Sequence, residues 1–385
     1  MRNRFGLFVL AALVELGCGG GASNTPPCFE CPPDTSCLNR DAIFVANSGS
    51  SSVSAFQLAG PITGPPAGPV CGSPFSVGAP PTALGGGGLI FPWLLVLSQP
   101  QKTISVYSVD FVTSVLTGPL CTINSRYTPV AVTGTGGFSY VANAEGSVST
   151  YGFSANGTVA TEISGSPFPA GSGPVAMAAS GVPPLLYVAN SRSNTVSGFS
   201  VDESSGVLTP LAGSPYAAGQ GAASIVIAPT PGPNSLGARL VLVANGLSNN
   251  VSVFSVASDG ILSPVPGSPF AVGGPPSSVA IATNLMPMKF TYVTIPALNQ
   301  IAGFSINGAT GVLTPLANSP FSVDIEPSSA VAAAGGQFLY VISTGANSMS
   351  VYSIDQNSGA LTPVSGSPFA VGQSPTAILY FEVPQ

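Results

Sequence analysis

The sequence predicts an all-β chain: a seven-bladed β-propeller with four-stranded blades, its ring closed by a C-terminal strand that completes the first blade. Three observations carry this. A segment of the form Val-Ser-Val-Phe-Ser-Val occurs seven times, and its fourth residue is always aromatic: Phe56, Tyr107, Tyr151, Phe199, Phe254, Phe304 and Tyr352, at intervals of 44 to 55 residues. Short runs rich in Val, Ile, Phe and Tyr alternate with Gly, Pro, Asn and Asp, and no stretch sustains a 3.6-residue period. Only 6% of the 385 residues are charged, 45% are hydrophobic, and Gly and Pro number 47 and 39. That balance favours packed strands joined by many turns and argues against disorder.

The parts of one unit follow in order. The first strand resembles Leu-Tyr-Val-Ala-Asn and spans Phe44–Asn47, Tyr140–Asn143, Tyr187–Asn190 and Leu242–Asn245, with weaker versions at Leu95–Ser98, Tyr292–Ile295 and Tyr340–Ser343. The aromatic strand comes next. After a turn comes Gly-Val-Leu-Thr-Pro, at Gly206–Pro210 and Gly311–Pro315, with variants at Gly260–Pro264 and Gly359–Pro363. Gly-Ser-Pro-Phe follows at Gly72–Phe75, Gly165–Phe168, Gly213–Tyr216, Gly267–Phe270, Asn318–Phe321 and Gly366–Phe369; the second unit lacks it. A Pro-led apolar strand ends the unit, as in Pro276–Ala282.

The phase of the repeat matters. The first unit begins at Asp41 without a Pro-led strand, and the last ends with an extra one, Pro375–Phe381. This strand is expected to become the innermost strand of blade one, which closes the ring and protects its edges. The seven aromatics are expected in the core, because they recur in every blade and a site would not. Asp110, Asp202 and Asp355 read as turn formers, and Asn47, Asn143, Asn190 and Asn245 as strand-end turn residues. Gly85–Gly88 reads as a flexible connection between strands; no helix N-terminus follows it to cradle a phosphate.

The first segment reads as an address. Arg2 and Arg4 precede a ten-residue apolar run, Phe5–Val14, and Gly17-Cys18 opens onto three glycines. Residues 1–17 are expected to be a signal peptide of lipoprotein type, with Cys18 as the acylated N-terminus. Glu15 stands where such signals usually carry Leu. The protein is therefore expected to be exported and membrane-anchored through its lipid, or else secreted. Residues 18–40 form a Gly/Pro/Cys-rich tether, and 41–385 the propeller. Cys28, Cys31 and Cys37 favour a structural disulfide in an oxidising compartment, and Cys71 and Cys121 occupy comparable places in two units and could pair; connectivity stays open.

Composition excludes several classes of chemistry. The chain has no histidine, so no Ser-His-Asp triad, Cys-His pair, His-ligated metal or HExxH motif can form. Eight Lys and Arg against fourteen Asp and Glu leave no footprint for nucleic acid. No calcium loop, P-loop or dinucleotide fingerprint occurs, so neither cofactor nor metal is expected.

The Tyr-Val-Ala-Asn strands, the Val-Ser-Val-Phe-Ser-Val strands and the Leu-Thr-Pro and Gly-Ser-Pro-Phe segments together resemble the lactonase-type seven-bladed propellers, also called YVTN-type repeats. That superfamily includes the propeller 6-phosphogluconolactonases and muconate-lactonising enzymes, and the resemblance covers residues 41–385. It implies the fold and a lactone-directed activity. It also implies a His acting with Arg and acidic residues near the central channel. This sequence has no His, so no catalytic residue is carried over.

Propellers of this strand order usually meet ligands on the face formed by the loops between blades and the loops after the Tyr-Val-Ala-Asn strands. Phase places Lys102, Glu145 and Arg192 there, with Arg126, Asp324, Glu326, Tyr127, Gln220 and Gln373. Asp110, Asp202, Glu203, Asp259, Asp355, Arg239 and Lys289 fall on the other face. The expected site is a mixed-charge mouth over a polar channel. There Arg126 and Arg192 could hold a carboxylate or phosphate, and Glu145 or Glu326 could activate a water if burial raises its pKa. Three functions are open: a binding or scaffold module for an envelope polysaccharide or protein, a hydrolase of a small lactone, and a purely structural surface protein.

Overall fold

A computed structural model describes residues 41–58, 65–86, 93–135, 137–228, 239–282, 290–333 and 335–382. The signal segment, Cys18, the cluster Cys28, Cys31 and Cys37, and Lys289 lie outside them. The described residues form seven antiparallel sheets in sequence order. Within a blade the chain runs outward, from an inner Pro-led strand through the Tyr-Val-Ala-Asn strand and the aromatic strand to the outer edge. In blade four these are Pro174–Gly181, Pro184–Asn190, Thr195–Val201 and Leu208–Pro210. Each of the seven inner strands packs against the inner strands of both neighbouring blades, so the ring is closed. Blade one is closed as its phase predicts: Pro375–Phe381, from the C-terminus, pairs antiparallel with Ala42–Asn47.

The core lies between blades. All seven repeating aromatics are buried, in company with the second-strand residues. Hydroxyls tie blade to blade: Tyr187 donates to the Gly260 carbonyl at 2.6 Å and Tyr292 to the Gly359 carbonyl at 2.8 Å. Gly260 shows why the Leu-Thr-Pro segment starts with glycine. Its φ is +87°, and a Cβ there would lie 2.6 Å from the Leu185 side chain of the preceding blade.

The outer edge is more finely divided than four continuous strands. In six blades it consists of two short pieces, both paired with the aromatic strand. In blade five, Leu262–Pro264 pairs with one end of Asn250–Val256, and Phe270–Ala271, from Gly-Ser-Pro-Phe, pairs with the other. Between them the amide of Val253 would face an empty position, and the Ser268 hydroxyl accepts it at 2.9 Å. The same bond recurs in the other five, from Ala55, Thr150, Gly198, Gly303 and Val351 to Ser73, Ser166, Ser214, Ser319 and Ser367, at 2.9 to 3.0 Å. The motif thus restores a hydrogen bond that an interrupted strand would lose. Blade two has no such motif and needs none: its outer strand, Leu116–Asn124, spans the whole length of Thr103–Val109.

Two expectations change. Gly85 and Gly86 belong to the inner strand Ala83–Gly86 rather than to a flexible connection. A Cβ at Gly85 would stand 2.8 Å from the Val132 carbonyl oxygen, so close packing of neighbouring inner strands requires glycine there. No disulfide joins Cys71 to Cys121.

Candidate functional site

The face carrying the loops between second and third strands, with the loops between blades, is built on a repeated backbone frame. Each blade puts one left-handed residue in its turn: Ser51, Lys102, Gly146, Asn194, Asn249, Asn299 and Asn347. Its carbonyl accepts an amide from the strand that leaves the blade, as Asn299 does from Val323 at 3.0 Å. Three of the asparagines also use their side chains. Asn194, Asn299 and Asn347 accept the amides of Gly221, Glu326 and Ser374 at 2.7 to 3.0 Å, which pins the loop leading to the next inner strand.

Below this frame lie the strand-end asparagines. Asn47, Asn143, Asn190 and Asn245 close their strands, as the sequence leads one to expect, and are fully buried. Each donates its amide to two side-chain oxygens of the third strand, as Asn190 does to Thr195 and Ser197 at 3.3 and 3.0 Å. In three blades a glycine of the incoming loop lies against this amide; a Cβ at Gly171, Gly219 or Gly372 would come within 2.7 Å of it. Blade seven reverses the arrangement. Ser343 stands in the asparagine position, and Asp324 stands where the loop glycine would be. Asp324 accepts Ser350 at 2.6 Å and Ser348 at 3.2 Å. Blade six makes the same position apolar with Ile295 and Ala302. Asp324 therefore holds a strand end together.

The remaining expected residues are on this face but do not converge. Arg126 pairs with Glu162 of blade three's outer strand at 3.1 Å and lies over the Tyr127 ring, 5.6 Å from its centre. Its charge is thus directed to the outer edge rather than to the axis. Lys102 is the turn residue of blade two. Glu145, in blade three, receives the Thr128 amide on both oxygens at 3.0 and 3.1 Å. Burial alone would raise its carboxyl, but the Thr128 hydroxyl and amide, with Lys102 nearby, more than offset this and hold it below the ordinary value. It is an ionised acceptor with its lone pairs engaged. Arg192, in blade four, lies across Gly173, and among the described residues no carboxylate pairs with it. Gln220 and Gln373 are exposed, and their amides are received by Ser248 and Ser50.

Glu326 is the candidate that lines a depression. The depression lies between blades six and seven, has a volume of about 530 Å³, and is bordered by Pro296, Ala297, Asn299, Ile325, Ser328 and Thr344. Glu326 adopts φ 57°, at a point where two other blades use Gly173 and Gly221. The Thr344 hydroxyl donates to the Pro375 carbonyl at 2.9 Å and Ser328 to the Ile342 carbonyl at 3.4 Å, so both protons are already used on backbone. Among the described residues no group of three His, Cys, Asp or Glu side chains could hold a metal ion.

Three aliphatic residues that composition and charge do not single out also belong to this face: Leu247, Leu298 and Ile325 are 77%, 47% and 60% exposed. The signal was present, since Leu247 follows Asn245-Gly246 at the position that carries Arg192 in blade four and Glu145 in blade three.

Comparison with known proteins bears on the whole ring. The model of the family described as Lactonase, 7-bladed beta-propeller matches residues 129–380, which begin at the inner strand of blade three. No curated protein matches the chain. Among solved structures, a protein of Bacteroides fragilis provisionally named a 6-phosphogluconolactonase is similar, with TM-score 0.70 and 16% identity over 91% of this chain and all of that one. The periplasmic gluconolactonase PpgL of Pseudomonas aeruginosa gives 0.69 and 17%, over 90% of this chain and all of that one. The hydrazine synthase of Kuenenia stuttgartiensis gives 0.56 and 15%, over 80% and 91%. At such identities the likeness is one of fold.

Proposed function

The chain belongs to the seven-bladed lactonase propeller family, and from that premise we propose that it binds a small lactone, or the hydroxy acid such a ring opens to, without efficient hydrolysis. One observation carries this reading: among the described residues no ion pair joins Lys102, Glu145, Arg192 or Glu326 at the mouth, in a chain without histidine. General acid–base catalysis needs a proton donor or acceptor within about 3 Å of the reacting atom, with a pKa near working pH. Glu145 is held low instead. Arg192 remains available to a carboxylate. Calorimetric titration with D-glucono-1,5-lactone and with gluconate, beside a hydrolysis assay, tests it. Binding with hydrolysis at the buffer rate is expected, whereas turnover well above that rate overturns the reading.

A second reading, lactone hydrolysis, is favoured by the family and by the named activity of the Pseudomonas neighbour. Glu326, rather than Glu145, would then activate the water, because it borders the depression. Glu326→Gln and Arg192→Ala would each abolish turnover.

We also propose export, with Cys18 as a lipidated N-terminus. The support is the charged and apolar layout of residues 1–18 and the periplasmic location of one structural neighbour. Mass spectrometry of the mature N-terminus should find a diacylglyceryl adduct on Cys18; an unmodified thiol removes the anchor. A scaffold role toward envelope polysaccharide or protein would follow if neither lactone nor acid bound.

A further inference from the structure

Six large hydrophobic side chains are exposed among the described residues, and they divide by face. Val112, Val159 and Val182 belong to turns on the side away from the mouth. Leu247, Leu298 and Ile325 all belong to the mouth, in blade five, in blade six and between blades six and seven. Each is seated against a glycine: a Cβ at Gly221 would lie 2.5 Å from Leu247, one at Gly274 3.0 Å from Leu298, and one at Gly345 2.9 Å from Ile325. The three side chains are therefore laid down on the backbone of the mouth. The depression beside Ile325 adds Pro296 and Ala297 to the apolar surface.

The cations of the mouth that pair with no described carboxylate, Lys102 and Arg192, occupy the other arc with Glu145, whereas Asp324 and Glu326 flank Ile325. Lys102, Glu145 and Arg192 belong to blades two, three and four. The ring is closed and its blades follow sequence order, so the polar arc and the aliphatic arc face each other across the channel. The equivalent turn position reads Glu145, Arg192, Leu247 through three successive blades, which marks the boundary.

We infer that the ligand of this mouth is an amphiphile: an oxygen-rich, ring-opened or anionic head set toward Arg192, and an aliphatic tail lying over Leu247, Leu298 and Ile325. The inference rests on the reading of the mouth as a lactone-binding face and adds the tail to it. A plain sugar lactone would leave the aliphatic arc in water. A tail would cover it, and each methylene removed from water contributes about 0.8 kcal/mol, close to a fourfold gain in affinity.

The test is calorimetric titration of the purified protein with δ-valerolactone, δ-octalactone and δ-decalactone, which share a ring and differ in tail. Affinity should rise at least tenfold from the tailless ring to the decalactone. Leu247→Ser combined with Ile325→Ser should flatten that rise, and Val159→Ser, on the far face, should preserve it. Equal binding of all three lactones overturns the tail while leaving the mouth as the ligand face. Absence of binding by any of them, and by gluconolactone, removes both readings. Concentration-dependent self-association in sedimentation, abolished by Leu247→Ser, would assign the aliphatic arc to a second copy of the chain and overturn the inference.

Discussion

Asp324 shows how one residue can carry charge on a ligand-facing surface and still be structural. Three blades hold their strand ends with a buried asparagine under a loop glycine; blade seven does it with Ser343 under Asp324. The polar group has moved from one side of the contact to the other, and the third-strand hydroxyls, which accept from an asparagine amide elsewhere, here donate to a carboxylate. Asp324→Ala should therefore lower stability by about 1–2 kcal/mol, since two hydroxyls lose a charged partner. Asp324→Gly combined with Ser343→Asn should recover most of it, because the pair then matches the other blades. A double-mutant cycle by thermal unfolding measures the coupling; additive losses would show that the two positions do not substitute for each other.

At the scale of the element, the repeated turn sets what each loop can present. Its left-handed position suits Asn and Gly, which adopt φ > 0 at low cost, and three of its asparagines also cap the next loop. Lys102 departs from this preference. Lys102→Asn should stabilise the protein by up to about 1 kcal/mol, read as a higher unfolding midpoint in urea; an unchanged midpoint would mean that the turn relaxes around lysine without strain. Glu326 departs in the same way at the loop before blade seven. There the departure has a visible counterpart, since its carboxylate borders the depression.

For the whole molecule, closure is the decisive contact. The last strand brings Ile378 and Phe381 into the core, and the Phe381 ring meets Phe44 edge-on at 5.8 Å. The Tyr380 hydroxyl donates to the Asp41 carboxylate across the same seam. Deleting residues 374–385 should destabilise all seven blades together, seen as one earlier transition in circular dichroism; unchanged melting would show that the ring holds without its closing strand. Beside the seam, burial and then the nearby Asp41 charge raise the Glu382 carboxyl. A raised carboxyl binds its proton more tightly in the folded protein, so stability is gained as pH falls through that value and is fully gained below the unfolded one. Glu382→Gln should thus raise the melting temperature at pH 7 and remove the gain on mild acidification; an equal melting temperature in both proteins counts against it.

The order and number of the blades and the closing strand were legible in the sequence; the split outer edge and the inner strand through Gly85 and Gly86 were not. The reason for the first is physical: burial of both faces of the central strands and obligatory hydrogen bonding impose a pattern on every blade, and seven copies reinforce it. The loop face was legible too, because phase alone assigns a residue to one end of a blade. Which residues on that face act together was not. Arg126 turned outward because Glu162 lies on a strand thirty-six positions away, and Asp324 became structural because blade seven has a serine where three blades at this contact have asparagine. Leu247, Leu298 and Ile325 form one arc only because the ring closes. Local sequence determines the conformation of a turn; its meaning at the mouth depends on which blades stand beside and across from it, and only the tertiary structure decides that.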